Sequence, residues 1–253
     1  MQPIKIYNAE PGSGPNPWKT VLVVEELGIP YETVWVSYGD LKSEPYVSLN
    51  PNGRVPAMVD PNTDVTLFES GAIISYLVDT YDKDFTLTYG PDRLADRWLV
   101  QSWLHFQMSG QGPMFGQKMW FTHFHIEENV KSALGRYATE AKRIVGVIDA
   151  SLRKQRQKQQ LPASGPVWLV GEHCTLADLA FFTWDLTLFA GALLPENPID
   201  VEKDFPEFAA WHGNVARRPA AEKVVAMRQE ALSTKRNTAA TVIEAQADGR
   251  KLS

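Results

Sequence analysis

The sequence predicts an α/β domain followed by a longer all-helical domain. Up to residue 84, short runs rich in β-branched and aromatic residues alternate with two apolar helical patterns, whereas every long segment beyond residue 91 has helical periodicity. A polar stretch separates the two patterns. With 253 residues, of which 44% are hydrophobic, the chain can bury one large core or two modest ones. We therefore assign residues 1–84 to the first domain, residues 91–232 to the second and residues 233–253 to a C-terminal tail.

The first domain is predicted to contain four strands and two main helices. Asn16 and Pro17 indicate the start of the first helix, since asparagine caps unpaired amides and proline lacks the N–H that would stay unpaired. Gly28 ends this helix, and a second helix begins near Ser70. The strands cover residues 4–7, 31–36, 56–59 and 65–68. With a short helical connection before the third strand, this order is that of a thioredoxin-like domain.

The second domain and the tail are read from their helical patterns. The predicted helices cover residues 93–109, 127–158, 175–190, 205–217 and 220–232, with a Gly-Pro break near residue 112. The tail is polar and small, so its composition predicts a frayed end. Val242 and Ile243 are its most apolar pair, and we expect this part to dock on the body of the protein because ordering a tail requires compensating contacts.

Composition excludes several classes of protein. The net charge is −5 and the isoelectric point is about 5.6, which argues against a nucleic-acid surface. The single cysteine, Cys174, excludes an internal disulfide framework and fits a reducing compartment. We find no secretory signal and no membrane span, so a cytoplasmic location is predicted. His123 and His125 lack carboxylate or thiol partners at ligand spacing, so no metal site is expected.

Two short motifs are the strongest functional signals. A cis peptide bond between Val55 and Pro56 would present the backbone N–H and C=O of Val55 to an extended ligand; alternatively, Pro56 only opens an edge strand. Glu69 and Ser70 stand at a helix start, where free amides and a partial positive charge bind carboxylates. Alone, each of these two residues is an ordinary helix cap. In combination with Pro56 they favour a site for a small zwitterionic peptide.

Four stretches of the chain carry a family resemblance: Gly14-Pro15-Asn16-Pro17-Trp18-Lys19, residues 50–57 with Glu69-Ser70-Gly71, residues 103–117, and residues 168–172 with Thr175-Leu176-Ala177-Asp178-Leu179. They resemble the cytosolic glutathione transferases, and in particular the fungal class typified by the C-terminal domain of the yeast nitrogen-catabolite-repression prion protein. The chain departs from that class in three respects: Pro17 replaces the usual glycine, no Asn/Gln-rich extension precedes the domain, and the tail is longer.

This resemblance implies that glutathione is the co-substrate and that its thiol is activated for attack on an apolar electrophile, with possible glutathione peroxidase activity. It also implies a homodimer. Val55 and Pro56 would pair with the glutathione backbone, Ser70 would bind the γ-glutamyl carboxylate, and Glu69 would bind the ammonium group. The glycyl carboxylate would meet Lys42 or Arg54. Two rival functions remain: a non-catalytic glutathione-binding regulator of a transcription factor, and an enzyme that adds glutathione to a fungal biosynthetic intermediate.

Three residues compete for the role of thiolate donor. Asn16 combines an amide N–H₂ group with a helix start, and together these could supply the roughly 2.7 kcal/mol needed to lower a thiol pKa by two units. Tyr7 is the rival, because other transferase classes use a tyrosine there, and Ser13 is a weaker third. Cys174 precedes the capping-box residues Thr175 and Asp178 and is assigned to the scaffold.

The acceptor pocket is expected in an aromatic region of the second domain. Most of that region is interpreted as core and dimer contact, and part of it as the lining of an apolar pocket. The lining is assigned to Phe106, Met114, Phe115 and Trp120.

Overall fold

The computed structural model describes residues 1–12, 14–126, 130–162 and 164–247, with side chains in these ranges described as far as residue 233. The chain forms two compact units. The first combines Met1–Ser70 with the C-terminal segment that starts at Pro219, and the second is Gly71–Arg218. The mixed four-stranded sheet of the first unit and the helical second unit confirm the predicted fold class.

The first unit is built on a sheet with strand order β2-β1-β3-β4. Strands β1 and β2 are parallel, with Ile4 opposite Tyr31, while β3 runs antiparallel to both β1 and β4. Strand β1 extends two residues beyond the predicted end. The strands are Ile4–Ala9 (β1), Tyr31–Val36 (β2), Ala57–Asp60 (β3) and Val65–Phe68 (β4).

Helix α1 spans Pro15–Glu26 and buries Trp18, Val21 and Leu22. The prediction that Asn16 caps this helix was wrong: Gly14 occupies the N-cap position, and Asn16 lies inside the first turn. The error has a simple cause. Proline is favoured at the first helical position, and the sequence has a proline on each side of Asn16. The structure uses the earlier one.

Helix α10, Pro219–Ala247, returns to the first unit and packs beside α1. Lys223 pairs with Glu25 at 2.7 Å, and the hydroxyl of Tyr31 donates to Glu25 at 2.6 Å. Because this helix continues to Ala247, the predicted helix end at residue 232 was wrong. Residues 233–247 contain good helix formers, chiefly alanine with glutamate, glutamine, lysine and arginine, and these sustain a polar helix. The expected docking of Val242 and Ile243 lies outside the described side chains.

The second unit is helical, apart from its loops. Between α3 and α4 lie loop residues and a short 3₁₀ turn, and a five-residue π-helical segment, Gln107–Gln111, joins α4 to α5. Helix α3 begins at Ser70, the last residue of the first unit. The helices are Ser70–Tyr81 (α3), Leu94–Phe106 (α4), Gly112–His123 (α5), Lys131–Lys158 (α6), Leu176–Phe189 (α7), Val201–Asp204 (α8) and Pro206–Ala216 (α9), with the short helix Tyr46–Leu49 (α2) in the first unit.

The expected Gly-Pro break near residue 112 is not a break. The chain stays helical from Leu94 to His123 by widening into the π segment, in which the N–H of Gly112 donates to the carbonyl of Gln107. A proline within an α-helix removes one hydrogen bond and clashes with the preceding turn. The wider π turn immediately before Pro113 accommodates the proline within a continuous helical stretch.

Helix α7 forms the centre of the second unit, and all but two of its residues are buried. The predicted capping box is confirmed: the side chains of Thr175 and Asp178 bind the backbone N–H groups at the helix start reciprocally. Asp178 also accepts the N–H of Leu169 at 2.9 Å and the indole N–H of Trp211 at 2.8 Å. One buried carboxylate thus connects the helix start, a loop and α9.

Candidate functional site

The loop before β3 has the predicted cis peptide bond between Val55 and Pro56. The carbonyl of Arg54 fixes this loop, because it accepts hydrogen bonds from the hydroxyl of Tyr46 and from the side-chain N–H₂ of Asn50, both at 2.6 Å. Val55 packs against a buried cluster that includes Tyr46. The backbone of Val55 is therefore held from two sides.

Asn50 organises the turn that precedes the cis bond, a role that sequence reasoning missed. Its side-chain oxygen accepts the N–H of Asn52 at 3.0 Å, and its carbonyl accepts the N–H of Gly53 at 2.8 Å. Gly53 has a φ of 60°, and a Cβ there would lie 2.6 Å from the carbonyl oxygen of Leu41. The signal was present as an Asn-Pro-Asn-Gly sequence, which is typical of a side-chain-stabilised turn.

Lys42 and Arg54 flank this loop with exposed side chains. The ammonium group of Lys42 donates to the carbonyl of Asn52 at 2.7 Å, so it braces the turn as well as carrying charge. Both cations lie in the same unit as the cis bond. Either can attract a carboxylate at the edge of the loop.

Glu69 and Ser70 follow strand β4 directly, and the sheet places them beside the cis bond. Ala57 lies opposite Phe68 in the β3–β4 pair, so the chain enters the hairpin at Pro56 next to the point where it leaves at Glu69. Ser70 is the first residue of α3 and only 2% exposed, whereas the side chain of Glu69 is exposed. An acid and a helix start therefore adjoin the held backbone.

Glu69 has a positive φ of 69°, a left-handed conformation that few residues other than glycine adopt. Such conformations persist when the surrounding structure determines them, and they cluster at ligand sites. Lys19, on the buried face of α1, is one neighbour of this carboxylate. Burial lowers the pKa of Lys19 to about 7, and the negative charge of Glu69 opposes that lowering.

Sequence reasoning gave Lys19 no role, although it is fully buried. The available signal was its place in α1, directly after Trp18 and before the apolar run of that helix, where a lysine requires a reason. Its charge interacts with Glu69, so it belongs to the electrostatic surroundings of the candidate site.

Asn16 lies half-buried in the first turn of α1, at the end of the β1–α1 loop. The loop is fixed by the indole N–H of Trp18, which donates to the carbonyl of Gly12 at 2.7 Å. Gly12 has a φ of 84°, and a Cβ there would lie 3.0 Å from the indole of Trp35. The first-turn amides of α1 and the side chain of Asn16 thus form a polar helix start.

The sequence pattern predicted that β1 ends at Tyr7. This was wrong, because the strand continues to Ala9 and Tyr7 lies within it. It stands opposite Ala57 of β3, half-buried, with its ring 5.9 Å from that of Tyr46 in an edge-on contact. Ser13 lies outside the described residues. Of the two described rivals, Asn16 lies at a helix start, whereas Tyr7 lies within strand β1 with its ring against Tyr46.

The remaining polar candidates lie elsewhere. Cys174 is buried next to the capping box of α7. The ring nitrogen of His123 contacts the carbonyl of Ala192 at 2.7 Å, and His125 packs against Trp120. Within the described parts of the chain, no group of three or more potential metal ligands comes together.

The four aromatic and apolar residues assigned to the acceptor pocket differ in environment. Phe115 is fully buried in the helical unit, Met114 is half-buried and Trp120 is exposed. The ring of Phe106 packs against Trp103, at 5.7 Å between ring centres, and against Phe181. Trp120 belongs to a different group of rings, with Phe121 and His125. Phe115 is thus a core residue, while the other three retain accessible surface.

Comparison with known families identifies the chain. The glutathione S-transferase N-terminal domain family matches residues 13–80, and the glutathione S-transferase C-terminal domain family matches residues 112–219. A glutathione S-transferase-like protein, OpS6 of Beauveria bassiana, is 42% identical over 228 residues, which cover 90% of this chain and 97% of the relative. The chain belongs to the glutathione transferase family. It is an enzyme of that family, as the resemblance predicted.

Two further relatives define the group within the family. The URE2P8 glutathione transferase of Phanerochaete chrysosporium, solved with oxidized glutathione, has a TM-score of 0.80 and 34% identity, over 92% of this chain and 98% of that one. Protein URE2 of Eremothecium gossypii is 34% identical over 238 residues, which cover 84% of this chain and 65% of the relative. The chain is therefore a fungal Ure2-like glutathione transferase.

Membrane insertion through a helix has no support in the described residues, since none of their helices is both long and apolar enough to cross a bilayer.

Proposed function

We propose that this transferase binds glutathione on its first unit, activates the thiol and transfers the glutathionyl group to an apolar electrophile. The observation that carries the proposal is the adjacency of the cis Val55–Pro56 bond and the Glu69–Ser70 start of α3 at one end of the sheet. An extended γ-glutamyl peptide needs a backbone partner for its middle and opposite charges for its end, and this arrangement offers both.

Each part of glutathione has a candidate partner. Val55 donates to and accepts from the cysteinyl backbone. The hydroxyl of Ser70 and the first amides of α3 donate to the γ-glutamyl carboxylate, and Glu69 accepts from the ammonium group. Lys42 or Arg54 meets the glycyl carboxylate at the exposed edge of the loop. In this proposal the buried Lys19 limits the local excess of negative charge around Glu69.

The chemical step requires a thiolate. A free cysteine thiol has a pKa of about 8.5 and is mostly protonated at neutral pH. An amide N–H from Asn16 and the partial positive charge at the start of α1 stabilise the anion. The thiol proton passes to solvent, the sulfur attacks the electrophilic carbon, and a leaving group such as halide departs with the bonding electrons. Metal chemistry is not part of the proposal.

A peroxidase activity would use the same thiolate. One glutathione attacks the hydroperoxide oxygen and releases the alcohol, and a second glutathione then displaces hydroxide from the resulting sulfenic form, which gives water and glutathione disulfide. Cys174 takes no part in this scheme because it is buried in the scaffold of the second unit. The electrophile is expected to contact Phe106, Met114 and Trp120, the three assigned residues with accessible surface.

A homodimer in the cytoplasm completes the proposal. Helix α4 exposes Leu94 and Trp98 one turn apart, with 59% and 65% of their surfaces accessible, and Leu99 beside them at 43%. Large apolar side chains grouped on one helix face are typical of an interface. A second copy of the chain is the partner that the family resemblance implies.

Retention on immobilised glutathione followed by two assays tests this function. The eluted protein is assayed with an aryl halide and with cumene hydroperoxide. Turnover of either substrate supports a catalytic role, and the ratio of the two activities separates transferase from peroxidase chemistry. Retention without turnover would instead favour the non-catalytic regulator, and failure to be retained would contradict the proposed site.

A further inference from the structure

We propose that Asp185, buried in the second unit, is a positioning residue for the glutathione site: through Gln111, Gln107 and Met108 it holds the first turn of α3, which carries Ser70. The inference rests on the proposed function because it assigns Ser70 to glutathione. Asp185 itself touches neither substrate nor reacting atoms. It acts through a chain of contacts that begins on α7 and ends at Gly71.

The first link is a buried chain of hydrogen bonds. The side-chain N–H₂ of Gln111 donates to Asp185 at 2.6 Å, and the N–H₂ of Gln107 donates to the side-chain oxygen of Gln111 at 3.0 Å. All three residues are fully buried. An ionised carboxylate can only accept, so it fixes which end of the Gln111 amide faces it and, in turn, which end faces Gln107.

The second link is the π segment. Gln107 and Gln111 are its first and last residues, and the N–H of Gly112 closes the wide turn on the carbonyl of Gln107. The hydrogen-bond chain from Asp185 therefore ties both ends of the widened turn to α7. A π turn is less stable than an α turn, so contacts with another helix help to maintain its shape.

The third link is steric. Met108 lies inside the π segment, and a Cβ built on Gly71 would stand 2.9 Å from its Cγ and 3.1 Å from its Sδ. The side chain of Met108 therefore rests on bare backbone at the second residue of α3, directly after Ser70. Met108 is half-buried and Gly71 is buried, so a shift of the π segment would displace Met108 relative to this turn.

The environment of Asp185 supports this assignment. Burial raises the pKa of Asp185 to about 6, and the nearby His212 and the hydrogen bond from Gln111 oppose that rise. The imidazole of His212 stacks on Phe189 and Phe182, with ring centres 4.0 and 5.1 Å away, and its Nδ1 is 3.6 Å from the carboxylate. An apolar side chain at this position would avoid the cost of burying a carboxylate, but it would remove the acceptor of the Gln111 N–H₂ group.

The test compares four variants by steady-state kinetics and by calorimetric binding of S-hexylglutathione. Asp185→Ala and Met108→Ala are expected to raise KM for glutathione by about 3- to 30-fold, with kcat at saturating glutathione and KM for the aryl halide nearly unchanged. Asp185→Asn keeps an oxygen that accepts from Gln111, so its KM is expected to stay closer to the wild type than that of Asp185→Ala.

The matched control is Asp149→Ala. Asp149 is another buried carboxylate of the second unit, and it accepts the N–H groups of Glu207 and Phe208 at the start of α9. Its loss is expected to lower the melting temperature without a change in KM for glutathione. All kinetics are measured at a temperature at which each variant is folded.

Several outcomes would overturn the inference. An unchanged KM for glutathione in both Asp185→Ala and Met108→Ala, or an equal rise of that KM in Asp149→Ala, would show that Asp185 contributes to stability and does not position the glutathione site. If Asp185→Ala does not fold, Met108→Ala decides alone, because it removes no polar group. A wild-type protein that does not bind S-hexylglutathione would refute the proposed function together with this inference. Normal binding by the wild type, with an unchanged KM for glutathione in the variants, would refute the inference only.

Discussion

At the scale of single residues, Arg54 contributes to this site in two ways: its side chain carries a positive charge, and its carbonyl oxygen anchors the loop. That oxygen accepts from both Tyr46 and Asn50 and so fixes the backbone before the cis bond. Sequence reasoning assigned residues to glutathione by their charge and their position at a helix start. It missed Tyr46 and Asn50 as supports, because a hydrogen bond to a backbone carbonyl leaves no charge or periodicity in the sequence.

Ser70 provides the direct test of glutathione placement. Ser70→Ala is expected to weaken glutathione binding by about 1–3 kcal/mol, because the charged carboxylate loses a donor. Isothermal titration calorimetry measures the change. Ser151→Ala serves as a control, since Ser151 lies in α6 and donates to the carbonyl of Val147 one turn earlier. Unchanged affinity in a folded Ser70→Ala protein would exclude this placement.

Asn16 and Tyr7 can be separated by pH dependence. Asn16→Ala is expected to lower kcat/KM by about 10- to 100-fold and to shift the alkaline rise of the pH–rate profile to higher pH, because the thiolate loses a donor. Tyr7→Phe keeps the ring contact with Tyr46 and is expected to change the profile little. The reverse pattern in the two profiles would identify Tyr7 as the donor.

Lys19 makes a prediction about stability. Its folded pKa of about 7 lies below the unfolded value, so between pH 7 and about 10 the unfolded chain binds more protons and stability rises with pH. Lys19→Met removes this dependence. Relative to the variant, the wild-type free energy of unfolding is expected to rise by up to about 2.7 kcal/mol between pH 7 and pH 9.

Urea unfolding at pH 7, 8 and 9 measures that difference. Lys5→Met is the control, because Lys5 is exposed and its ion pair with Glu32 is long, at 3.7 Å. The prediction concerns how the free energy of unfolding changes with pH, so a difference between the two proteins that is independent of pH does not support it. A wild-type-to-variant difference that is the same at all three pH values would show that Lys19 keeps its proton in the folded state.

At the scale of elements, the sequence predicted most strands and helices to within a few residues, and its largest error was the end of α10. Tyr31–Val36, Val65–Phe68 and the start of α3 at Ser70 lie where the patterns placed them. Two elements were harder to predict for physical reasons. The π segment depends on contacts with α7 that are distant in sequence, and the end of α10 depends on helix propensity without an apolar stripe.

The capping box of α7 gives the prediction for this scale. Thr175→Val keeps the shape of the side chain but removes the hydroxyl that interacts with Asp178 and the helix start. The loss is expected to be about 1–2 kcal/mol of unfolding free energy. Chemical denaturation measures it, with Thr139→Val as the control, because the hydroxyl of Thr139 is exposed and donates to the carbonyl of Gly135 within α6. Equal stability of the two variants would contradict a capping role.

At the scale of the whole molecule, the sequence identified the fold class and the family because both depend on local motifs. The order of elements gave the sheet-containing domain, and the stretches around Asn16, Pro56 and Ser70 gave the family. Other features needed three dimensions: the return of α10 to the first unit, the burial of Lys19 beside Glu69, and the chain from Asp185 to Gly71. Each of these features depends on contacts between residues that are far apart in the sequence, and local patterns do not predict such contacts.

The proposed homodimer makes the last prediction. Leu94 and Trp98 are one turn apart on α4, and a glutamate in place of the more exposed Trp98 would put two charges into a self-complementary interface, one from each copy. Trp98→Glu is therefore expected to weaken dimerisation by at least about tenfold, since burying unpaired charge is costly. Sedimentation velocity over a range of concentrations measures it. Ile126→Glu is the control, because Ile126 is 95% exposed and lies away from α4 in the chain. A Trp98→Glu protein with the wild-type distribution of monomer and dimer would remove α4 from the interface, and a wild-type monomer at all concentrations would refute the dimer itself.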